Sequence, residues 1–357
     1  MKKFQLLFAA IIALALMASC GNAGKDKAAN NKKAKTITGA GATFPYPFYN
    51  KIFKSYTKEQ GILVTYGAIG SGGGVRSITD KIVDFGASDA FLNDKKLASM
   101  PAEVLHVPTC LGAVVAAYNL PGKPELKFTP ELMEGVFMGK ITNWNDAKIA
   151  EVNPGVTLPD MEITVVYRSD GSGTTFIFSD YMSKISKEWE EKVGKGKALK
   201  WPVGIGAKGN PGVAGTISQT EGAIGYIGSE YAFSMGIQMA QIKNQAGNYI
   251  LPSTESISAA AKGEMPADTR VSLTNTDAAD GYPLSSFTWL VIYKEQNYND
   301  RSLDQATQTI KLIDWVVSAD AQKETTKVHY APLPDAAVEK AKAVLGKVTY
   351  NGKAIKL

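Results

Sequence analysis

Apolar and polar residues along the chain follow two alternating patterns. From Thr36 onward, short runs typical of β-strands alternate with segments whose apolar residues recur three and four positions apart, as on one face of a helix. This alternation predicts an α/β fold. The predicted strands cover 36–38, 62–66, a short segment around 85, 112–118, 163–167 and 287–293, and the predicted helices cover 49–61, 75–82, a segment beginning at 129, 175–183 and 303–317.

Four loops rich in Gly, Ser and Thr lie where a predicted strand is followed by a helix or turn. They are Gly41–Phe44, Gly70–Gly73, Ala87–Asp89 and Arg168–Thr174. A helix N-terminus offers unpaired backbone N–H groups, and small residues there let an anion approach closely. In α/β sheets, ligands lie beyond the carboxyl ends of the strands, where these loops are expected. Together the loops predict an anion site, although each loop alone is also explained as a structural turn.

Several side chains in these loops have a structural alternative. Ser71 and Ser172 either donate hydroxyl groups to a ligand or cap the helices that follow them. Arg168 presents five N–H donors that suit an oxyanion, or forms a surface ion pair with Asp170. Asp89 would repel an anion unless the ligand carries a proton that the carboxylate accepts. Its alternative role is to cap the segment that follows it.

Charge and length narrow the possible partners. The chain has 357 residues, with 39 Lys and Arg, 34 Asp and Glu, and a formal net charge of +5. Seven lysines and one aspartate lie in residues 1–35, so residues 36–357 carry 32 basic and 33 acidic groups. Nucleic acid and acidic membranes are therefore poor partners for the folded part. The length predicts roughly two domains, and the composition excludes collagen-like, disulfide-rich and mostly disordered chains.

The N-terminus carries an export signal. Two lysines precede a short apolar run that ends in Met17-Ala18-Ser19-Cys20, which resembles a bacterial lipobox. We expect residues 1–19 to be a signal peptide and Cys20 to be lipidated. The alternative is an ordinary signal peptide with a chance cysteine. Residues 20–35 then form a flexible tether, because they hold no large apolar residue, and Cys110 remains as a single cysteine of unassigned state.

Searches for catalytic and metal-binding patterns are negative. Ser172 lacks the glycine two places earlier that a nucleophile elbow requires, and Gly70–Arg76 lacks the Lys-Ser/Thr ending of a P-loop. His106 and His329 are better explained as hydrogen-bonded structural residues than as bases. Two His and two Cys give no metal-ligand spacing, so we expect neither enzyme activity, metal nor cofactor.

Three of the loops resemble signature segments of a known family. The segments 38–45, 84–90 and 168–174 are similar to those of the phosphate-binding protein of bacterial high-affinity phosphate ABC transporters. The resemblance runs from about Thr36 to near the C-terminus. It implies a two-lobed type II periplasmic-binding-protein fold with the ligand cleft between the lobes. Lobe I would comprise 36–109 and 284–357, and lobe II would comprise 110–283.

The resemblance also assigns a role to each site residue. Asp89 would accept the proton of phosphate and so exclude sulfate, while Asp170 would hold Arg168 in place. The implied phosphate-binding residues are Thr43, Phe44 through its backbone N–H, Ser71, Asp89, Arg168, Ser172, Gly173 and Thr174.

The resemblance implies a binding protein rather than an enzyme. It would be a monomer, exported to the cell envelope and anchored by lipid on the periplasmic or outer face of a membrane, and it would deliver inorganic phosphate to the transmembrane permease subunits of an ABC transporter. Two alternatives remain open. One is an extracytoplasmic phosphate-ester hydrolase that uses the same oxyanion loops. The other is a ligand-sensing or adhesion module on the same fold.

Overall fold

A computed structural model describes residues 34–357. The expected signal peptide, Cys20 and all but the last two residues of the expected tether lie outside the described residues. Those last two contact the fold, since the Ala34 N–H donates to Asp304 Oδ2 at 2.6 Å and the Lys35 carbonyl accepts from the Leu63 N–H at 3.0 Å. None of the helices within 34–357 is both long and apolar enough to cross a bilayer.

Strands and helices alternate along most of the described chain. The strands are β1 Thr36–Gly41, β2 Leu63–Ala68, β3 Phe85–Ser88, β4 Val104–Tyr118, β5 Lys127–Phe128, β6 Thr164–Arg168, β7 Ile205–Ala207, β8 Ala223–Gly228, β9 Gln238–Met239, β10 Gln241–Lys243, β11 Tyr249–Ile250, β12 Ser285–Tyr293, β13 Thr349–Tyr350 and β14 Lys353–Ala354. The helices are α1 Tyr46–Gln60, α2 Ser71–Thr79, α3 Asp94–Ala98, α4 Pro130–Phe137, α5 Ala147–Val152, α6 Gly173–Ile185, α7 Lys187–Lys192, α8 Gly209–Gln219, α9 Ser229–Met235, α10 Thr254–Ala259, α11 Leu303–Val316, α12 Ala319–Gln322 and α13 Asp335–Leu345, with a 3₁₀ turn at Thr326–Val328.

The long strand β4 belongs to both halves of the main sheet. Its residues 104–113 pair antiparallel with β12, and its residues 114–118 pair antiparallel with β8. The strand order is β2-β1-β3-β12-β4-β8-β6-β7, with β9 also on β4. Every residue of β4 is buried. The first half of the sheet contains the parallel strands β1, β2 and β3, and the second half contains the parallel strands β6, β7 and β8.

Local sequence signals explain where individual helices begin and end. Gly61 ends α1 with a left-handed φ of 68°, which costs a glycine little. Thr129 caps α4, because its side chain accepts a hydrogen bond from the Leu132 N–H, and Pro130 occupies the first helical position. Both helix boundaries were predicted from the sequence and are confirmed.

Two sequence predictions need correction. The strand predicted at 112–118 starts eight residues earlier, because 104–111 is equally buried and pairs with β12. The helix predicted at 75–82 runs instead from Ser71 to Thr79, and Ile82 lies beyond it with 71% of its surface exposed. The lysine before it, Lys81, has a φ of 56°, which is incompatible with a continuing helix.

Neither histidine belongs to the anion loops. His106 is buried in β4, and its Nε2 accepts a hydrogen bond from the Leu92 N–H at 3.0 Å. His329 follows the 3₁₀ turn and stacks on Phe233 with 4.7 Å between ring centroids. Burial, together with the nearby Arg270 guanidinium, lowers the pKa of His106 to about 4, so the folded protein holds this ring neutral.

The neutral state of His106 predicts a loss of stability in acid. In the unfolded chain the ring takes up a proton near pH ~6.5, and the folded protein does not do so until about pH 4. The unfolded state therefore binds more protons across this window, and the free energy of unfolding falls as the pH falls. We expect wild type to lose on the order of 2 kcal/mol more than His106→Gln over 1.5 pH units of the window.

Chemical denaturation of both proteins at several pH values measures this difference. The glutamine variant retains an acceptor for the Leu92 N–H, and the other titrating groups are common to both proteins. If the free energy of unfolding changed with pH in the same way in wild type and His106→Gln, the described burial of a neutral His106 would be contradicted.

Candidate functional site

The loops predicted from the sequence meet in the folded protein. The Gly72 N–H, at the start of α2, donates to the Gly171 carbonyl at 2.7 Å, which joins the loop after β2 to the loop after β6. Thr43, after β1, contacts Asn210 near the start of α8. The carboxyl ends of the parallel strands in both halves of the sheet therefore face one shared site.

Two threonine hydroxyls from opposite halves share one amide. Asn210 Nδ2 donates to Thr43 Oγ1 and to Thr174 Oγ1, each at 3.0 Å. The Asn210 backbone N–H also donates to Thr43 Oγ1 at 3.2 Å. On the other side of the amide, Asn210 Oδ1 accepts from the Gly228 N–H at 3.0 Å. All three side chains are buried.

Asp89 is a buried carboxylate with two hydroxyl partners. Oδ1 accepts from Thr288 Oγ1 at 2.7 Å, and Oδ2 accepts from Ser71 Oγ at 3.3 Å. Burial raises the pKa of Asp89 to about 7, although the Thr288 hydrogen bond, the charge of Arg168 and the Ser71 hydrogen bond all act to lower it. The side chain does not cap the following segment. The Asp89 carboxyl can therefore take up or release a proton near neutral pH.

Arg168 is held in a bidentate ion pair. Its Nε donates to Asp170 Oδ1 at 2.7 Å and its Nη2 donates to Asp170 Oδ2 at 2.6 Å, while Nη1 donates to Thr174 Oγ1 at 3.2 Å. The ion pair with Asp170 is as predicted, but the guanidinium is buried, so the alternative that this pair lies at the surface is wrong. Burial alone would raise the pKa of Asp170, but the hydrogen bonds and charge of Arg168 and the Gly209 N–H outweigh it and lower the pKa.

The N-terminus of α6 lies directly against Asp89. Ser172 caps this helix, since its Oγ accepts from the Thr175 N–H at 3.0 Å. A Cβ atom on Gly173 would lie 2.4 Å from Ser71 Oγ and 2.5 Å from Asp89 Oδ2, so only glycine fits this approach. The Gly173 N–H has no hydrogen-bond partner among residues 34–357, which leaves it available to an anion.

Two tyrosines hold the loop after β1 in place. The Tyr231 hydroxyl donates to the Thr43 carbonyl at 2.5 Å, and the Tyr330 hydroxyl donates to the Phe44 carbonyl at 2.5 Å. The Phe44 ring packs against Gly112 of β4, where a Cβ atom would lie 2.5 Å from the ring. This packing fixes the Phe44 backbone, whose N–H has no hydrogen-bond partner within the described chain.

The site offers many donors and one carboxylate with access to a proton. The Ser172 hydroxyl, the free N–H groups and the unused N–H groups of Arg168 can all donate, while Asp170 is occupied by Arg168. Within residues 34–357 no cluster of three or more His, Cys, Asp or Glu side chains could hold a metal ion. The arrangement suits a small oxyanion that carries at least one proton.

Comparison with known proteins gives the family. A model of the PBP superfamily domain matches residues 26–320. The chain is 40% identical to the phosphate-binding protein PstS of Pasteurella multocida over 87% of this chain and 90% of that protein, and 41% identical to PstS of Haemophilus influenzae over 85% and 90%. The chain belongs to the PstS family of phosphate-binding proteins.

A solved structure agrees on the fold. The chain is similar to a high affinity periplasmic phosphate-binding protein called PfluDING, which was solved with bound phosphate. The TM-score is 0.67 and the sequence identity 20%, over 86% of this chain and 93% of that one. The predicted fold class, an α/β periplasmic-binding-protein fold, is confirmed by this likeness and by the family match.

All nine residues predicted from sequence lie in or beside this site, but two contributors were missed. Asn210 lies in Gly209-Asn210-Pro211-Gly212, a glycine-containing segment that forms the first turn of α8 directly after β7, and that position after a strand could have revealed it. Thr288 lies within an apolar strand, where no local signal marks it. Ser71, one of the nine, is the first residue of α2 rather than its cap, so its hydroxyl is free to contact Asp89.

The hydrogen bond from Thr288 predicts a measurable change in the titration of Asp89. Because that bond stabilises the charged carboxylate, Thr288→Val is expected to raise the pKa of Asp89 above its wild-type value of about 7. The measurement is a ¹³C NMR titration of aspartate carboxyl carbons, with Asp89→Asn used to assign the signal.

Thr307→Val is the matched control for this titration. The Thr307 hydroxyl bonds the Leu303 carbonyl on an exposed helix face, so its loss should leave the Asp89 signal unchanged. A wild-type value near that of an ordinary aspartate, or no response to Thr288→Val, would contradict the described environment.

Proposed function

We propose that this chain binds inorganic phosphate at the site between β1, β3, β6 and β7 and delivers it to the permease of an ABC-type phosphate importer. The observation that carries the proposal is the pairing of a donor-rich anion site with one buried carboxylate, Asp89, in a member of the PstS family. The phosphate-binding residues we propose are Thr43, Phe44 through its N–H, Ser71, Asp89, Arg168, Ser172, Gly173 and Thr174.

Asp89 supports selection of phosphate over sulfate. At neutral pH phosphate retains a proton that a carboxylate can accept, whereas sulfate has none. A sulfate oxygen facing Asp89 would leave two acceptors opposed in a buried site, which is costly. With a pKa raised by burial to about 7, the Asp89 carboxyl can also share that proton with the ligand near neutral pH.

The charge of the ligand is balanced mainly by dipoles. Arg168 carries the site's positive charge, but Asp170 pairs with it at two atoms. A guanidinium has five N–H groups, so two remain for the ligand after Asp170 and Thr174 have taken three. Backbone N–H groups at the start of α6 add partial positive charge. This arrangement agrees with a body that carries nearly equal numbers of acidic and basic residues.

We further propose that the two halves of the fold are lobes, with lobe I at 36–109 and 284–357 and lobe II at 110–283. After Ala113 the hydrogen-bonding partner of β4 changes from β12 to β8, which supports a lobe boundary within that strand. The contacts of Gly72 with Gly171 and of Gly173 with Asp89 join the two lobes. Phosphate would enter when these contacts open and would be enclosed when they form.

The site supports binding rather than catalysis. Ser172 Oγ accepts a hydrogen bond from the Thr175 N–H, and within 34–357 no His, Asp or Glu side chain hydrogen-bonds to it as a base would. Relatives such as PstS of Pasteurella multocida are named as phosphate-binding proteins. No observation favours the hydrolase or the sensing and adhesion alternatives.

The N-terminal sequence supports a location in the cell envelope. We propose export, lipidation at Cys20 and attachment of a monomer to the periplasmic or outer face of a membrane, with the lysine-rich segment after Cys20 as the tether.

Calorimetric titration tests the proposed function. The full chain in mild detergent would be stripped of carried-over phosphate and titrated separately with phosphate and sulfate. One-site binding of phosphate without binding of sulfate is expected. Absence of phosphate binding would refute the proposal, and phosphate esters would then be titrated as ligands.

Removing the acceptor should relax selectivity. Asp89→Asn replaces a proton acceptor with an amide that can donate, so the preference for phosphate over sulfate is expected to fall. Titration with both anions measures the ratio of affinities. The control is Asp180→Asn, since Asp180 is a buried carboxylate that accepts from Ser272 and Thr274 away from the site. Unchanged selectivity in Asp89→Asn would remove Asp89 from the binding residues.

Removing the guanidinium should weaken binding. Arg168→Ala is expected to cost at least about 1–3 kcal/mol of phosphate-binding free energy, the usual contribution of a hydrogen bond to a charged group. Arg270→Ala is the control, because Arg270 pairs with Asp94 and Asp268 rather than with the site. Wild-type affinity in Arg168→Ala would show that the guanidinium does not contact the ligand.

A further inference from the structure

Asn210 occupies a position in the site that phosphate binding alone does not explain. Its side chain is fully buried and makes three hydrogen bonds, two as a donor from Nδ2 and one as an acceptor at Oδ1. An amide group has two N–H donors, and both are used by threonine hydroxyls. Nδ2 therefore has no donor left for a ligand, so Asn210 can act on the ligand only through the residues it contacts.

The orientation of the amide is fixed by its acceptor side. The Gly228 N–H can only donate, and it lies 3.0 Å from Asn210 Oδ1. A reversed amide would bring Nδ2 against that N–H and leave both without an acceptor. The donors of Asn210 must therefore point to the threonines.

Both threonine oxygens are then saturated as acceptors. A hydroxyl oxygen has two lone pairs and one proton. Thr43 Oγ1 accepts from the backbone N–H and the Nδ2 of Asn210, and Thr174 Oγ1 accepts from Asn210 Nδ2 and from Arg168 Nη1. Each hydroxyl retains only its proton to offer.

We propose that Asn210 is a positioning residue that makes the hydroxyls of Thr43 and Thr174 obligate donors toward phosphate. This inference rests on the proposed function and concerns the same site. It removes both threonine oxygens as acceptors of a ligand proton and leaves Asp89 as the carboxylate that accepts one, so we expect the site to favour phosphate with one proton over phosphate with two. A second proton on the ligand would find no acceptor at either threonine.

The backbone around Asn210 supports this role. Gly209 has a left-handed φ of 70°, and its N–H donates to Asp170 Oδ1 at 3.0 Å. The first two residues of α8 therefore contact Asp170, Thr43 and Thr174, which belong to two different predicted site loops, Gly41–Phe44 and Arg168–Thr174. Because Thr43 precedes α1 and Thr174 lies in α6, the amide also links the two halves of the fold.

The test compares phosphate affinities of the full chain and its Asn210→Ala variant, in mild detergent, below and above the second pKa of phosphate. Asn210→Ala frees a lone pair on each threonine. The variant is expected to bind roughly 10-fold or more weakly above that pKa, where the ligand carries one proton. The loss should be clearly smaller below it, because a freed hydroxyl oxygen can accept the second proton. Asp89, Asp170 and the buried Glu230 are common to both proteins, so their titration largely cancels in the ratio.

A double-mutant cycle checks that the effect passes through the hydroxyls. In Thr43→Val and Thr174→Val backgrounds, Asn210→Ala should cause a smaller fold-loss than in wild type, because one of its two targets is absent. Asn153→Ala is the matched control: Asn153 is also buried, its Nδ2 donates to the Lys127 and Ile149 carbonyls and its Oδ1 accepts from the Lys127 N–H, all away from the site, so phosphate affinity should not change. If Asn210→Ala does not fold, Asn210→Ser is used in the same comparison.

The outcomes separate this inference from the proposed function. If wild type fails to bind phosphate, the proposed function fails and the inference fails with it. If wild type binds phosphate but Asn210→Ala gives the same fold-loss at both pH values, or the same fold-loss in all threonine backgrounds, Asn210 is only structural and the inference alone is overturned.

Discussion

The continuity of β4 is the constraint on which the rest of the molecule depends. A buried strand must hydrogen-bond its backbone along its whole length, and β4 does so with β12 over 104–113 and with β8 over 114–118. Two parallel-stranded half-sheets are thereby fixed to one backbone. Their strand ends meet at the contact between Gly72 and Gly171, which makes a site that neither half could form alone.

This geometry creates an electrostatic problem that the side chains solve locally. A site closed between two halves is poor in water, so an isolated charge within it would be costly. Arg168 is neutralised by Asp170, and Asp89 responds to burial with a pKa raised to about 7. What remains is a set of oriented N–H and O–H donors. Such donors hold an anion firmly without giving the whole protein a basic surface.

The sequence was sufficient to predict the loops of the site, but not the contacts between residues that are distant in the sequence. Glycine and hydroxyl residues after strands are local signals, so Ser71, Arg168 and Ser172 could be found without a structure. The glycine-containing segment around Asn210 offered a similar signal, but the contact of Asn210 with Thr43 and that of Thr288 with Asp89 join residues more than 30 positions apart and could not be predicted from local sequence. The early start of β4 was missed for a similar reason, since its pairing with β12 joins residues more than 170 positions apart.

The donors of the two halves also bear on how the proposed closure would depend on the ligand. The contact of Gly173 with Ser71 and Asp89 requires the two halves to approach as closely as a missing Cβ allows. That approach brings unpaired N–H and O–H donors together around one space, where in the absence of an anion they have no acceptor and oppose closure. An anion would accept hydrogen bonds from donors of both halves at once. Part of its binding free energy would therefore stabilise the closed arrangement. If Asn210 fixes the threonine hydroxyls as donors, as we propose, a ligand with a second proton would stabilise that arrangement less.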